Sequence, residues 1–171
     1  MRKFSSLLIV MLLSIMSANA KMEPILVADF EGGVIPAGWT QEVTGVAPTL
    51  AWTVQSKAEA TRPASVRRGD YRLSVVNPGT LYGTSVRLIS PVMNLSQSHE
   101  PRLTFSRAAL SSSGYLDTLR VYYRTSASAG WIMLNEYASP TSGNNWADEE
   151  LQLPAANATY QIAFEFVDGT A

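Results

Sequence analysis

Apolar residues in this sequence recur at every second position in short runs, and that period constrains the fold more than any other feature. In Tyr160-Gln161-Ile162-Ala163-Phe164-Glu165-Phe166, the residues Tyr160, Ile162, Phe164 and Phe166 share one face, while Gln161 and Glu165 take the other. Leu119, Val121 and Tyr123 alternate with Thr118, Arg120 and Arg124, and Tyr71, Leu73 and Val75 with Arg72 and Ser74. The spacing predicts further strands at Ile25–Phe30, Ala51–Gln55, Ser85–Ile89, Leu103–Ala108, Trp131–Tyr137 and Glu150–Leu153. Gly32-Gly33, Pro36-Ala37-Gly38, Asn77-Pro78-Gly79, Ser111 to Gly114 and Ser139 to Asn145 separate them. In such turns Gly and Asn supply positive φ, and Pro fixes a corner. No long segment keeps a 3.6-residue apolar period. About nine strands without helices read as one antiparallel, two-sheet β-sandwich.

The first twenty residues follow a different rule. Arg2 and Lys3 precede an apolar run from Leu7 to about Met16, and Ala18-Asn19-Ala20 is a small-x-small cleavage site. This is the pattern of a secretory signal peptide. A membrane anchor needs about 18 continuous apolar residues, and Ser14 and Ser17 interrupt too early. Residues 1–20 therefore read as an export signal and residues 21–171 as one domain. A domain of about 150 residues buries roughly 68–70 % of its unfolded surface, so it needs no covalent staples.

Composition narrows the chemistry. The chain has no Cys and one His, with 13 Lys+Arg against 14 Asp+Glu. Disulfides, thiol nucleophiles and thiolate metal sites are excluded. A lone His99 argues against a histidine-rich zinc centre and a Ser-His-Asp triad. Near-neutral charge without a basic run argues against a nucleic-acid surface. An exported chain without Cys points to a bacterial, Gram-negative envelope or secreted protein.

Other residues carry a resemblance. Asp29-Phe30-Glu31-Gly32-Gly33 followed by Ile35-Pro36-Ala37-Gly38-Trp39-Thr40 resembles the opening of choice-of-anchor J and cleaved-adhesin modules. The likeness continues through Ala51-Trp52, Gly69 to Leu73, Leu88 to Pro91, Pro101 to Phe105 and Asp117 to Tyr123. It closes with Trp131, Trp146, Leu153-Pro154 and Tyr160 to Glu165. The resemblance implies a jelly-roll, MAM-like sandwich of a secreted or surface protein. It also implies a Gly-containing turn after Phe166 and a last strand with an acidic pair. The expected domain is thus a sandwich without its final strand, with any sorting or anchor region beyond Ala171.

Asp29 and Glu31, two apart on an expected strand, project from one face while Phe30 enters the core. Two hard oxygen donors begin a Ca²⁺ site, which takes six to eight oxygens at about 2.3–2.6 Å. The resemblance adds the Arg68-Gly69-Asp70 turn as a source of further oxygens, so a structural calcium is expected near Asp29, Glu31 and Asp70. Arg68-Gly69-Asp70 also spells the tripeptide that integrins read; the favoured reading is a turn leading into a strand.

Trp39, Trp52, Trp131 and Trp146 suit core packing better than a sugar-stacking platform, with Trp131 in strand phase with Met133. Tyr82, Tyr115 and Trp146, flanked by Gly and Ser loops, are candidates for a ligand surface, and so is Tyr122, which faces opposite to Val121. Catalytic arrangements are lacking. Glu149 and Glu150 are adjacent and point to opposite sides of a strand, and His99 sits in a polar loop. The expectation is a non-catalytic, adhesin-like module recognising a host or matrix protein or a glycan. The alternatives are a carbohydrate-binding or accessory module of a larger secreted hydrolase or protease, and a structural spacer.

Overall fold

The computed structural model describes residues 10–14, 24–47, 49–59, 66–76, 83–109, 117–138 and 145–169. Every regular element among them is a strand: β1 (Val10–Ser14), β2 (Val27–Ala28), β3 (Thr40–Thr44), β4 (Trp52–Ser56), β5 (Tyr71–Val75), β6 (Ser85–Ile89), β7 (Arg102–Arg107), β8 (Thr118–Arg124), β9 (Ile132–Ala138), β10 (Ala147–Gln152) and β11 (Gln161–Val167). All pairings are antiparallel. One sheet runs β10-β7-β1-β2, the second β3-β6-β11-β8-β9, and β4 and β5 form a separate pair. An all-β, antiparallel sandwich is therefore the observed fold.

The residues with the clearest alternation occupy the centre. β11 pairs with β8 from Gln161↔Arg124 to Val167↔Thr118, and with β6 from Ala163↔Ile89 to Val167↔Ser85. Phe164 and Phe166 are fully buried, as are Val86 and Leu88 of β6. Leu119 and Val121 of β8 are equally inaccessible. Phe105 of β7 meets them from the other layer, edge-on to Phe164 at 5.3 Å between ring centroids. Edge-to-face aromatic pairs of this kind add to the area term that holds two sheets together.

The small pair is tied in by polar contacts. Trp52, 1 % exposed, donates its indole N–H to the Val86 carbonyl at 3.1 Å. The Gln41 side chain of β3 clamps the Trp52 backbone, donating to its carbonyl at 3.0 Å and accepting its N–H at 2.8 Å.

Two strands were not foreseen. β3 is exposed at all five positions, so it carries no apolar alternation to detect; its pairing with β6 positions it at a sheet edge. β1 comes from the apolar run of the segment read as an export signal. It lies between β7 and β2. Elsewhere the expected strands hold to within a few residues, except that Ile25–Phe30 shortens to Val27–Ala28. The cause is Phe30, buried but left-handed at φ 59°, which ends the extended backbone.

Candidate binding surface

Alternation in β6, β11 and β8 places Arg87, Glu165, Arg120, Tyr122, Arg124 and Gln161 on the face turned away from the core. Register brings them together: Glu165 stands opposite both Arg87 and Arg120, and Gln161 opposite Arg124. Glu165 is only 7 % exposed. It accepts from Arg87 Nη2 at 2.8 Å, from the Tyr122 hydroxyl at 3.0 Å and from Ser85 Oγ at 3.3 Å. Burial first, and the Glu165 charge second, push the Tyr122 hydroxyl above its usual range, so it stays a neutral donor.

Trp131 completes this layer. The Arg124 guanidinium lies 4.3 Å from its ring centre and that of Arg87 5.5 Å; Arg87 also lies 5.1 Å over Tyr122. Such contacts combine ring quadrupole attraction with flat packing. Arg124 is fixed by two bonds from Nε and Nη2 to the Gln161 Oε1, at 3.0 and 2.8 Å, and by one from Nη1 to the Ala127 carbonyl. None of these acceptors is charged. Among the described residues Arg124 therefore presents a guanidinium without a carboxylate partner, beside a partly exposed indole.

Trp131 and Met133 do share a phase, but it is the outer one. Met133 stands opposite Tyr122 and is 52 % exposed, because a register shift after Val121 re-aims the β9 edge. Core packing thus holds for Trp39 and Trp52, which are buried, and not for Trp131. Trp146 is half-buried against the core, its indole nitrogen inaccessible and without a partner among the described residues. Tyr122 lies within the polar layer just described, whereas Tyr82 and Tyr115 lie outside the described residues. The alternation of Arg120, Tyr122 and Arg124 was the sequence signal for this face. The convergence of Arg87 and Trp131 was missed because they are far apart in sequence.

The acidic residues form a different structure from the one expected. Asp29 and Glu31 sit in a turn, not across a strand, with the Glu31 N–H donating to Asp29 Oδ1 at 3.1 Å. Glu31 reaches the Arg68-Gly69-Asp70 turn and accepts the backbone N–H of Asp70 at 3.0 Å and of Tyr71 at 3.3 Å. Gly69 has φ +68° and lies so near Glu31 that a Cβ would stand 2.2 Å from Oε1. Asp29, Glu31 and Asp70 are thus neighbours on an exposed loop pair. Among the described residues no three His, Cys, Asp or Glu side chains gather as a metal site. A cation here would need backbone oxygens beside the Asp29 and Glu31 carboxylates.

The outer face of β7 and β10 is a third polar region, but its carboxylates are already matched. Asp148 accepts from Arg67 and Ser106, which hold its carboxyl below the usual range, and Glu150 pairs with Arg102. Glu149 turns to the opposite face and pairs with Arg107. His99 is exposed in its loop.

Fold and surface together define an antiparallel β-sandwich module with aromatic and guanidinium groups gathered on one outer face. The MAM domain family (meprin/A5/mu) matches residues 28–171, and the chain belongs to that family. Among solved structures it is similar to the K1 cleaved adhesin domain of Lys-gingipain from Porphyromonas gingivalis W83. The TM-score is 0.57 and the identity 19 %, covering 82 % of this chain and 87 % of that one. No curated protein matches the chain. No helix among the described residues is long and apolar enough to cross a membrane.

Proposed function

We propose that this chain is an exported, non-catalytic, adhesin-like binding module whose ligand docks on the outer face of the five-stranded sheet. The observation that carries this reading is Arg124: a guanidinium without a carboxylate partner among the described residues, held by Gln161 and lying over a partly exposed Trp131. Pre-organised, planar and charged groups beside an aromatic face favour a ligand with a flat apolar side and oxygen acceptors. A glycan and a matrix-protein loop both offer that combination. The MAM family membership and the cleaved-adhesin neighbour support a recognition role.

The test is a glycan-array and matrix-protein screen with the wild-type chain, Arg124→Ala and Trp131→Ala. Binding lost in both variants, with unfolding midpoints retained, supports the reading; no binding by the wild type leaves a structural spacer instead. A second reading, an accessory module of a larger secreted hydrolase or protease, is favoured by one observation: the similar structure is itself a domain of Lys-gingipain. A catalytic domain in the same gene product would establish it.

Export rests on the Met1–Ala20 pattern, and a secreted product beginning at Lys21 by mass spectrometry is the expected result. A structural Ca²⁺ at Asp29, Glu31 and Asp70 belongs to the same proposal. Its support is the proximity of these residues; the amides on Glu31 offer a cation-free explanation of the loop pairing. A thermal midpoint unchanged by EGTA would refute it.

A further inference from the structure

The Arg124 guanidinium is held in a way that leaves particular donors unused. Gln161 of β11 is 8 % exposed and donates its amide N–H to the Ser90 carbonyl at 2.8 Å, which leaves its Oε1 for Arg124. That oxygen accepts from Nε at 3.0 Å and from Nη2 at 2.8 Å, and the Ala127 carbonyl accepts from Nη1 at 3.1 Å. A guanidinium has one N–H on Nε and two on each terminal nitrogen. Among the described residues, these bonds use the single donor of Nε and one donor from each terminal nitrogen. One N–H on Nη1 and one on Nη2 are left over. Two terminal nitrogens, each with a donor in hand, match the two oxygens of a carboxylate. The nearby acid on this face, Glu165, is already taken by Arg87 at 2.8 Å.

The surroundings say which carboxylate fits. Arg124 is half-buried, and the Trp131 ring centre lies 4.3 Å from its guanidinium carbon with part of the indole in solvent. In the loop that joins β8 to β9, the Ser126 and Ser128 hydroxyls meet at 3.3 Å on the exposed side. A ligand anchored at Arg124 therefore meets an apolar ring and groups that both donate and accept. An acidic pyranose carries the three complements on one rigid frame: a carboxylate, a C–H face and ring hydroxyls. An acidic peptide side chain supplies the carboxylate alone, on rotatable bonds whose ordering costs entropy.

We propose that Arg124 is the carboxylate-binding residue of this face and that its ligand is an acidic glycan, with the carboxylate borne on a sugar ring. The inference rests on the outer-face reading above and narrows its ligand to one class. The carboxylate takes the two remaining N–H groups of Arg124, and the sugar ring lies beside Trp131.

The test is calorimetric titration of the wild-type chain with two probes, a hexasaccharide containing glucuronate and sialyllactose. Each is run beside its own form in which the carboxylate is reduced to a primary alcohol. At least one acidic probe should bind, and its reduced form at least about tenfold more weakly. This comparison needs no variant, so it stands even where a substitution unfolds the chain. Arg124→Ala, with its unfolding midpoint checked, should bind acidic and reduced forms alike. Arg102→Ala on the other sheet should keep the wild-type preference. Equal affinity for the two forms, or no binding of either acidic probe, would overturn the inference. So would Arg124-dependent binding of a glutamate-rich peptide in place of the sugars, which would make the ligand a protein loop. A neutral glycan or a protein lost with Arg124→Ala defeats the carboxylate and leaves the outer-face reading intact. Absence of any ligand in the wider screen defeats both.

Discussion

Replacing Arg87 with Leu tests whether the outer-face network is held by a buried charge pair. Glu165 is 7 % exposed and, when the Arg87 bond at 2.8 Å is lost, keeps among the described residues two neutral donors, Tyr122 and Ser85, and the neighbouring Arg120 charge. Breaking a buried pair by removing one partner costs about 3–5 kcal/mol. The two remaining hydrogen bonds and the 22 % exposure of the Arg87 side chain place Arg87→Leu near the lower end, about 3 kcal/mol. That is a large share of the roughly 5–15 kcal/mol that holds a domain together, and corresponds to a Tm loss of about 6–12 °C. Replacing both residues, Arg87→Leu with Glu165→Leu, removes the stranded charge and should cost about 1 kcal/mol or less. Urea unfolding at neutral pH, followed by tryptophan fluorescence, measures both. Arg120→Leu serves as the control: its pair with Glu136 is 37 % and 45 % exposed, and such pairs contribute about 0.5 kcal/mol. An Arg87→Leu cost below about 1 kcal/mol, or a double variant no more stable than the single one, would refute the reasoning.

Other perturbations test separate parts of the structure. Gln41→Ala removes both bonds to the Trp52 backbone and should cost about 1–3 kcal/mol in urea unfolding; an unchanged midpoint would mean that β4 is held without the clamp. Gly69→Ala meets both a left-handed backbone and the Glu31 carboxylate, for about 1–2 kcal/mol. The penalty should shrink in a Glu31→Ala background. Burial raises the hydroxyl pKa of Tyr122, Tyr137 and Tyr160 above the ordinary 10.0. Unfolded tyrosines ionise first as pH rises, so this stabilisation is complete below pH 10 and declines above it. Tyrosinate absorbance rising together with loss of structure is the expected signature; ionisation of all tyrosines in a still-folded chain would contradict it.

What the sequence disclosed depends on how each element buries its residues. β8 and β11 lie within a sheet that has one face on the core, so their inner residues had to be apolar and their alternation is readable. β3 has no buried face, and its place is set by backbone pairing to β6 and by the Gln41 side chain, neither of which leaves a period in composition. Phe30 shows the opposite limit. Its burial was legible, but its positive φ was not, and that angle turned an expected strand carrying two parallel carboxylates into a turn. Of the candidate surface, Tyr122 could be read from phase alone. Trp131 was misplaced because the shift after Val121 changes which face the β9 edge presents, and one bulge alters every residue beyond it.

The distribution of paired charges decides which surface is free to bind. Across β7 and β10 the carboxylates of Asp148, Glu149 and Glu150 are each matched by an arginine, so a ligand there would have to break existing pairs. On the five-stranded sheet Glu165 is matched by Arg87, and Tyr122 donates to the same carboxylate. These contacts hold the layer rigid and consume its negative charge. Arg124 remains, with neutral acceptors only among the described residues, over an indole that is still partly open to solvent. Lysine in its place would keep the charge but lose the two-pronged hold on Gln161 and the guanidinium's contact over the Trp131 ring. Arg124→Lys should therefore weaken binding nearly as much as Arg124→Ala. If Lys restores binding in full, charge alone makes the site and the guanidinium's geometry has no part in it.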